Sequence, residues 1–177
     1  MLLCICRNTK DKGCNMERVI CFHNPEEENG YLSNWYMCKF KIGRRTFSSM
    51  EQYMMYSKAR LFGDDITASK IMKQHDVAKI KGLGREVSNF DSKIWDDNKT
   101  SIITTGLIEK FKQNPELKEK LLGTGDALLA EMAVKDKIWG TGVGMSSTNR
   151  FKPTTWPGQN LLGKCLMVAR KQLRENN

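Results

Sequence analysis

Glu51 and Lys58 lie seven positions apart in a segment with the pattern of an amphipathic helix. At 3.6 residues per turn the two side chains leave the helix on nearly the same side, about 10 Å apart along its axis. A carboxylate and an amine at that separation suit glycosyl chemistry on a sugar held between them. Each residue also has a simpler interpretation, with Glu51 as part of a helix cap and Lys58 as a solvated surface charge.

A second grouping places two small polar side chains before two aromatic rings, in the order Ser33, Asn34, Trp35 and Tyr36. In a loop, the polar pair can hydrogen-bond a ribose, and a ring can stack on a base. The same residues also fit a tight turn with its rings packed inward. The sequence leaves both interpretations open.

A glycine-rich segment begins at Asp136 and continues through Trp139 and Gly140. Its glycines would let the backbone approach a phosphate closely, while Trp139 can form a pocket wall and Asp136 can act as an acid or base. The glycine spacing does not match the dinucleotide-binding fingerprint, and an ordinary glycine loop fits equally well.

The last segment of this kind contains Asn160 and Gly163. Asn160 is placed as the N-cap of the final helix. Gly163 then lies inside that helix, where glycine costs ~1 kcal/mol relative to alanine. That cost predicts a close approach, either by another helix or by a ligand.

The pattern predicts an α+β fold, a single domain dominated by helices with a small mixed or antiparallel sheet. The first long helix is predicted over residues 48–62, with Ser48 and Glu51 as a capping box. Its core-facing residues are predicted to be Met50, Tyr53, Met54, Ser57 and Leu61. Further helices are predicted over residues 64–74, 76–82, 91–112, 114–122 and 161–173, the first of them capped by Asp64 or Asp65 and the second by Asp76. Strands are predicted over 18–22, 37–42, 45–47 and 127–133, of which the middle two form a hairpin around Gly43-Arg44. This order lacks the βαβ alternation of a doubly wound sheet.

Two of these helices have predicted buried faces. In the helix over 91–112 the candidates are Ile94, Trp95, Ile102, Gly106 and Ile108 or Phe111. In the final helix they are Leu162, Leu166, Ala169 and Leu173.

The net charge of +9 suits an anionic ligand, although the basic residues are scattered rather than clustered. No apolar run approaches the ~20 residues that cross a bilayer, and the start lacks a signal-peptide pattern. The sequence therefore predicts a cytoplasmic protein with no membrane partner and no obligate protein partner. No cofactor is expected, and with two histidines a histidine-dependent mechanism is not favoured.

Six cysteines are present, and four of them crowd into the first 21 residues. A zinc site can be drawn there, but Cys-x-Cys is not the usual zinc-knuckle spacing, so free thiols are favoured and no metal is expected. Residues 1–16 are interpreted as an irregular, cysteine-rich lead, and residues 17–177 as the domain.

Taken in order, these segments resemble the NADAR family, named for its association with NAD and ADP-ribose. The matching residues are Leu32-Ser33-Asn34 with Tyr36, Met50-Glu51-Gln52-Tyr53 with Lys58-Ala59, Gly84-Arg85, Trp95, Lys110-Phe111 with Gln113-Asn114, Asp136 with Trp139-Gly140 and Gly142, and Asn160-Leu161-Leu162-Gly163 with Arg170. Gln52 stands where the family often has histidine. The resemblance covers nearly the whole chain but not the lead.

The resemblance implies hydrolysis of an N-glycosidic bond between ribose C1′ and a base-like nitrogen. Two substrate classes follow from it: a phosphorylated ribosyl small molecule (a ribosylamino-pyrimidine phosphate of riboflavin synthesis) and ADP-ribose attached to guanine in nucleic acid.

Such a reaction needs charge stabilisation at C1′ and a proton for the leaving nitrogen. Glu51 can supply either, a desolvated Lys58 can attack C1′ and hold the opened sugar as a Schiff base, and Asp136 can activate water or orient ribose hydroxyls. The expected substrate-binding residues are Ser33, Asn34, Trp35, Tyr36, Trp95, Trp139, Gly140, Asn160 and Gly163.

Two alternatives stay open at this point. One is a non-catalytic module that binds ADP-ribose or NAD, which would follow if Gln52 marks a decayed site. The other is a zinc-stabilised nucleic-acid adaptor that uses the cysteine-rich lead.

Overall fold

A computed structural model of the protein describes residues 18–175, so the cysteine-rich lead lies outside the described residues. The strands are β1 (Val19–Phe22), β2 (Met37–Ile42), β3 (Arg45–Ser49) and β4 (Leu128–Glu131). The helices are α1 (Met50–Leu61), α2 (Asp65–Lys73), α3 (Val77–Arg85), α4 (Ser92–Lys112), α5 (Pro115–Gly123) and α6 (Leu161–Glu175). The predicted α+β class, with helices dominant, is confirmed.

The described strands form two separate two-stranded ribbons rather than one small sheet. β2 and β3 make the predicted hairpin, which turns at Gly43 with a φ of +59°. β1 pairs with β4 in parallel, with Val19 opposite Leu128 and Phe22 opposite Glu131. A parallel pair needs a long crossover, and here that crossover contains helices α1 to α5.

The N-terminus of α1 differs from the predicted capping box by one residue. Ser49, not Ser48, is the N-cap, and its Oγ accepts a hydrogen bond of 3.2 Å from the backbone N–H of Gln52. Gln52 Oε1 in turn accepts from the backbone N–H of Ser48 at 2.8 Å. Because Gln52 takes the capping function, the Glu51 carboxylate is not used at the helix end.

α1 packs closely against α3 and α4 because each presents a glycine at the contact. A Cβ on Gly84 of α3 would lie 1.8 Å from the Met55 sulfur, and a Cβ on Gly106 of α4 would lie 2.4 Å from the Tyr53 ring. Of the predicted stripe on α1, Met50, Tyr53 and Met54 are buried, whereas Ser57 and Leu61 are only half-buried.

Two predictions about these neighbouring helices were wrong. α3 ends at Arg85 and not at Gly82. The backbone of Gly82 does not have the positive φ that ends a helix, and no atom lies near its Cβ position, so the helix continues through it. In α4, Trp95, Gly106 and Phe111 are buried as predicted, but Ile94 is exposed. Ile103 and Leu107 occupy core positions that the sequence interpretation missed.

α6 buries the four predicted residues Leu162, Leu166, Ala169 and Leu173. Its close neighbour is a strand rather than a helix, since a Cβ on Gly163 would lie 2.0 Å from the Leu129 carbonyl oxygen of β4. None of the helices between residues 18 and 175 is long and apolar enough to cross a membrane.

Candidate active site

Two adjoining cavities lie between α1, α3 and the loops that follow β1 and β4. We name them the Lys58 cavity, of about 190 Å³, and the Trp35 cavity, of about 330 Å³. The Lys58 cavity is lined by Glu51, Met54, Met55, Lys58, Lys81, Gly84, Arg85, Trp95, Asp136 and Trp139. The Trp35 cavity is lined by His23, Asn24, Pro25, Ser33, Trp35, Lys81, Glu131, Ala133 and Asp136. Lys81 and Asp136 belong to both walls, so the two cavities form one cleft.

Glu51 is a buried carboxyl group, with 2% of its surface exposed, in the wall of the Lys58 cavity. Its Oε1 has no hydrogen-bond partner. Burial raises its pKa to about 7, with Asp136 acting in the same direction, while Lys81 and a hydrogen bond from Trp35 act in the opposite one. Glu51 is therefore divided between its acid and base forms near neutral pH.

Lys58 lines the same cavity as Glu51, as their spacing on α1 predicted. Its Nζ donates a hydrogen bond of 2.7 Å to the Gly84 carbonyl oxygen and lies 4.2 Å from the centroid of the Phe90 ring. Burial lowers the pKa of the amine. A lowered pKa increases the fraction of neutral, nucleophilic amine.

Asp136 is half-buried and lines both cavities. Its Oδ1 accepts hydrogen bonds from the backbone N–H groups of Ile138 at 3.0 Å and Trp139 at 2.8 Å. This turn places the Trp139 ring in the wall of the Lys58 cavity. The charge of Asp136 raises the pKa of Glu51 and of Glu131.

The sequence interpretation assigned no site role to three charged residues of the cleft, Glu131, Lys81 and Arg85. Glu131 ends β4 in the wall of the Trp35 cavity, and its buried Oε2 has no partner. Burial, followed by the charge of Asp136, raises its pKa to about 7. A signal was available, because a carboxylate in the otherwise apolar run from Ala127 to Ala133 is unusual and needs a reason.

The loop before β2 explains how Trp35 reaches the cleft. Ser33 Oγ accepts from the Trp35 backbone N–H at 3.2 Å, so the tight turn that the sequence allowed is present. The fully buried Lys110 amine donates to the carbonyl oxygens of Tyr31 at 2.7 Å and Ser33 at 3.4 Å. The turn is therefore present, and it places Trp35 in the wall of the Trp35 cavity, while binding of a ribose or a base stays a prediction.

Of the nine expected substrate-binding residues, four line the cleft: Ser33, Trp35, Trp95 and Trp139. The residues that line neither cavity are Asn34, Tyr36, Gly140, Asn160 and Gly163. Asn34 contacts the backbone of Glu51, because its carbonyl oxygen accepts a hydrogen bond of 2.8 Å from the Glu51 N–H. Tyr36 packs beside the Lys110 amine, 5.5 Å from its ring centroid. Gly140 is enclosed by protein, since a Cβ there would lie 2.8 Å from the Asp136 carbonyl oxygen.

Asn160 holds β4 rather than capping α6 with its side chain. Its Nδ2 donates to the Leu129 carbonyl oxygen at 2.8 Å, and its Oδ1 accepts from the Glu131 N–H at 3.0 Å. Its φ of +51° differs from the extended backbone of an ordinary N-cap. The side chain is therefore committed to the strand that carries Glu131.

Gln52 also has a structural role. It is buried and lines neither cavity, and its Nε2 donates to the carbonyl oxygens of Ile71 and Gln74, each at 3.1 Å. Gln52 thus joins α1 to the end of α2. Gln52 stands where the family often has histidine, but this difference does not change the side chains that line the cleft.

The zinc interpretation rests on Cys4, Cys6 and Cys14, which lie outside the described residues. Between residues 18 and 175 no group of three metal-binding side chains is found, and Cys21 is a free thiol.

Comparisons with known proteins point in one direction. Residues 21–174 match the NADAR domain family. The chain is 40% identical over 88% of its length to N-glycosidase R617 of Acanthamoeba polyphaga mimivirus, and covers 96% of that protein. It is 32% identical over 91% of its length to riboflavin biosynthesis protein VVA0006 of Vibrio vulnificus, of which it covers 40%.

Another relative is N-glycosidase YbiA of Escherichia coli, which is 29% identical over 89% of both chains. The NMR structure of YbiA superposes with a TM-score of 0.75 and 28% identity, covering 90% of this chain and 87% of YbiA.

Proposed function

This chain belongs to the NADAR domain family and acts as an N-glycosidase, and we propose that its reaction takes place in the cleft between α1, α3 and β4. The observation that carries the proposal is the pairing of Glu51 and Lys58 in one cavity wall. Glu51 is buried without a partner on Oε1, and Lys58 has a lowered pKa. A buried carboxyl oxygen without a partner and an amine with a lowered pKa are both features of groups that act on a substrate.

We assign the sugar to the Lys58 cavity. There the Lys58 amine attacks C1′ as the bond to the base nitrogen breaks, and the opened sugar is held as a Schiff base that water then hydrolyses. Glu51 in its carboxylate form stabilises positive charge at C1′. Asp136, which lies in both walls, orients ribose hydroxyls or the incoming water.

The substrate we propose is a phosphorylated ribosyl compound, either ADP-ribose attached to guanine in nucleic acid or a ribosylamino-pyrimidine phosphate. The name of the Vibrio relative supports the second class, and the net charge of +9 supports the polyanionic first class. Arg85 and Lys81 lie one helical turn apart on α3 at the wall of the Lys58 cavity and can bind phosphate. A cytoplasmic location stays a prediction.

The test is to incubate the purified protein separately with an oligonucleotide carrying ADP-ribosylated guanine and with a ribosylamino-pyrimidine phosphate. Chromatography then measures free ADP-ribose or free base. We expect release from at least one substrate and a large loss of release in Glu51→Gln, but not in Glu86→Gln, which changes an exposed residue. Tight binding without release from either substrate would instead support a non-catalytic module.

A further inference from the structure

We propose that the Trp35 cavity is the subsite for the leaving base and that Glu131 is the catalytic acid that protonates the leaving nitrogen. This inference rests on the proposed function and deepens it, because it assigns separate tasks to the two halves of the cleft. The chemical class of ligand for the Trp35 cavity is a planar nitrogen heterocycle, a purine or a pyrimidine.

Two carboxyl groups that each have one buried oxygen without a partner are divided between the two cavities. Glu51 and Lys58 line the smaller cavity, whereas Glu131 and Trp35 line the larger one. A glycosidic bond at the boundary of the two cavities would have the sugar beside the amine and the base beside the indole. The larger volume, about 330 Å³ against about 190 Å³, and the flat Trp35 ring suit a stacked base.

The protein holds the Glu131 backbone on both sides. Its N–H donates to Asn160 Oδ1 at 3.0 Å, and its carbonyl oxygen accepts from the N–H groups of Thr141 at 2.8 Å and Ala133 at 3.0 Å. The Oε2 atom at the tip of the side chain is nevertheless buried and has no partner. A buried carboxyl oxygen without a partner is costly, and a substrate nitrogen would supply the missing hydrogen bond.

Charged groups from three elements face Glu131. Asp136 from the following loop and Glu51 from α1 favour its protonated form, and Lys81 from α3 opposes them. His23, which follows β1, lines the same cavity. Burial is the largest effect, and with the charges of Asp136 and Glu51 it outweighs Lys81 and raises the Glu131 pKa to about 7. The carboxyl group therefore retains a proton for donation near neutral pH.

The C1′–N bond breaks, its electron pair stays on nitrogen, and the Glu131 carboxyl proton moves to that nitrogen. C1′ forms a bond to the Lys58 amine, and water later replaces the amine at C1′. The water oxygen remains on the sugar, and one water proton restores Glu131. The net change is the addition of one water molecule across the C1′–N bond.

The test is the pH dependence of kcat for Glu131→Gln, which keeps the shape of the side chain but has no acidic proton. We expect kcat to fall by about 10²–10⁴-fold with a much smaller change in KM. The alkaline limb of the wild-type profile, where the acid loses its proton, should disappear in the variant. The loss should also shrink for substrates whose base carries electron-withdrawing groups, since such a base leaves without full protonation.

Glu86→Gln is the matched control and should keep the wild-type profile, because Glu86 is exposed at the end of α3. If Glu131→Gln does not fold, Glu131→Asp provides the test, with reduced kcat and a displaced alkaline limb. The proposal is wrong if a folded Glu131 variant keeps wild-type kcat and profile, or if His23→Gln removes the limb instead. A wild-type protein that releases no base from either substrate would overturn the proposed function itself, which is a different result.

Discussion

The Lys58 amine donates a hydrogen bond of 2.7 Å to the Gly84 carbonyl oxygen, so α3 determines where an α1 side chain points. Gly84 can lie this close because it has no Cβ to collide with Met55. The amine is half-buried at this position, and burial lowers its pKa. Gly84 therefore contributes to the position in which Lys58 is held.

From this contact we predict that Lys58→Ala loses at least about 100-fold in kcat, because no amine remains to capture C1′. Borohydride added during turnover should reduce the Schiff base on the wild-type protein, and mass spectrometry should find the sugar adduct at Lys58. Lys79→Ala, which removes an exposed lysine of α3, should keep both turnover and adduct. Undiminished turnover of Lys58→Ala, with no reducible adduct on the wild type, would rule out the covalent route.

A second prediction concerns stability against pH. Burial raises the Glu51 pKa from 4.5 to about 7, so between these values the native state binds more protons than the unfolded state. The free energy of unfolding should therefore fall as pH rises through this window. Relative to Glu51→Gln, the loss should be on the order of 3 kcal/mol at pH 8. Urea unfolding of the wild type and of Glu51→Gln at several pH values measures this loss. If the free energies of unfolding of the two proteins change in parallel with pH, Glu51 ionises as readily in the native state as in the unfolded chain, and the prediction is wrong.

A third prediction separates Gln52 from catalysis. Gln52→Leu removes the Nε2 donor that the carbonyl oxygens of Ile71 and Gln74 share, and should lower the free energy of unfolding by about 1–3 kcal/mol. Turnover per folded molecule should stay near wild type, because Gln52 lines neither cavity. Chemical denaturation and active-site titration test the two parts. A stable but inactive Gln52→Leu would instead place this residue in the reaction.

The fourth prediction tests the contact between α6 and β4. Gly163→Ala should destabilise the protein by at least about 3 kcal/mol, because the new methyl group meets the Leu129 carbonyl oxygen at 2.0 Å. Gly123→Ala is the matched control, since no atom lies within 4 Å of its Cβ position, and it should be neutral or slightly stabilising. Thermal unfolding compares the two. Equal melting temperatures would mean that α6 can move away from β4 without loss.

Much of the local structure was predictable because it depends on neighbours in the chain. The cap at Asp76 and the hairpin at Gly43 depend on signals of short range, and the structure confirms both. Of the two candidates for the cap of α2, Asp64 and Asp65, the structure selects Asp64. The capping box at α1 was misplaced by one residue because Ser48 and Ser49 are adjacent and chemically equivalent. Only the packing of Gln52 against α2 distinguishes them.

The common wall of Glu51 and Lys58 was also predictable, since helical geometry alone places residues seven apart on one side. The contribution of Glu131 was not, because it depends on β4 pairing with β1 across more than 100 residues and on Asn160 holding its backbone. Periodicity reports which side of its own element a residue occupies, but not which element faces it. Burial, missing partners and shifted pKa values arise from those facing elements, so the sequence by itself determined the common wall of Glu51 and Lys58, and only the tertiary structure brought Glu131 into the same cleft.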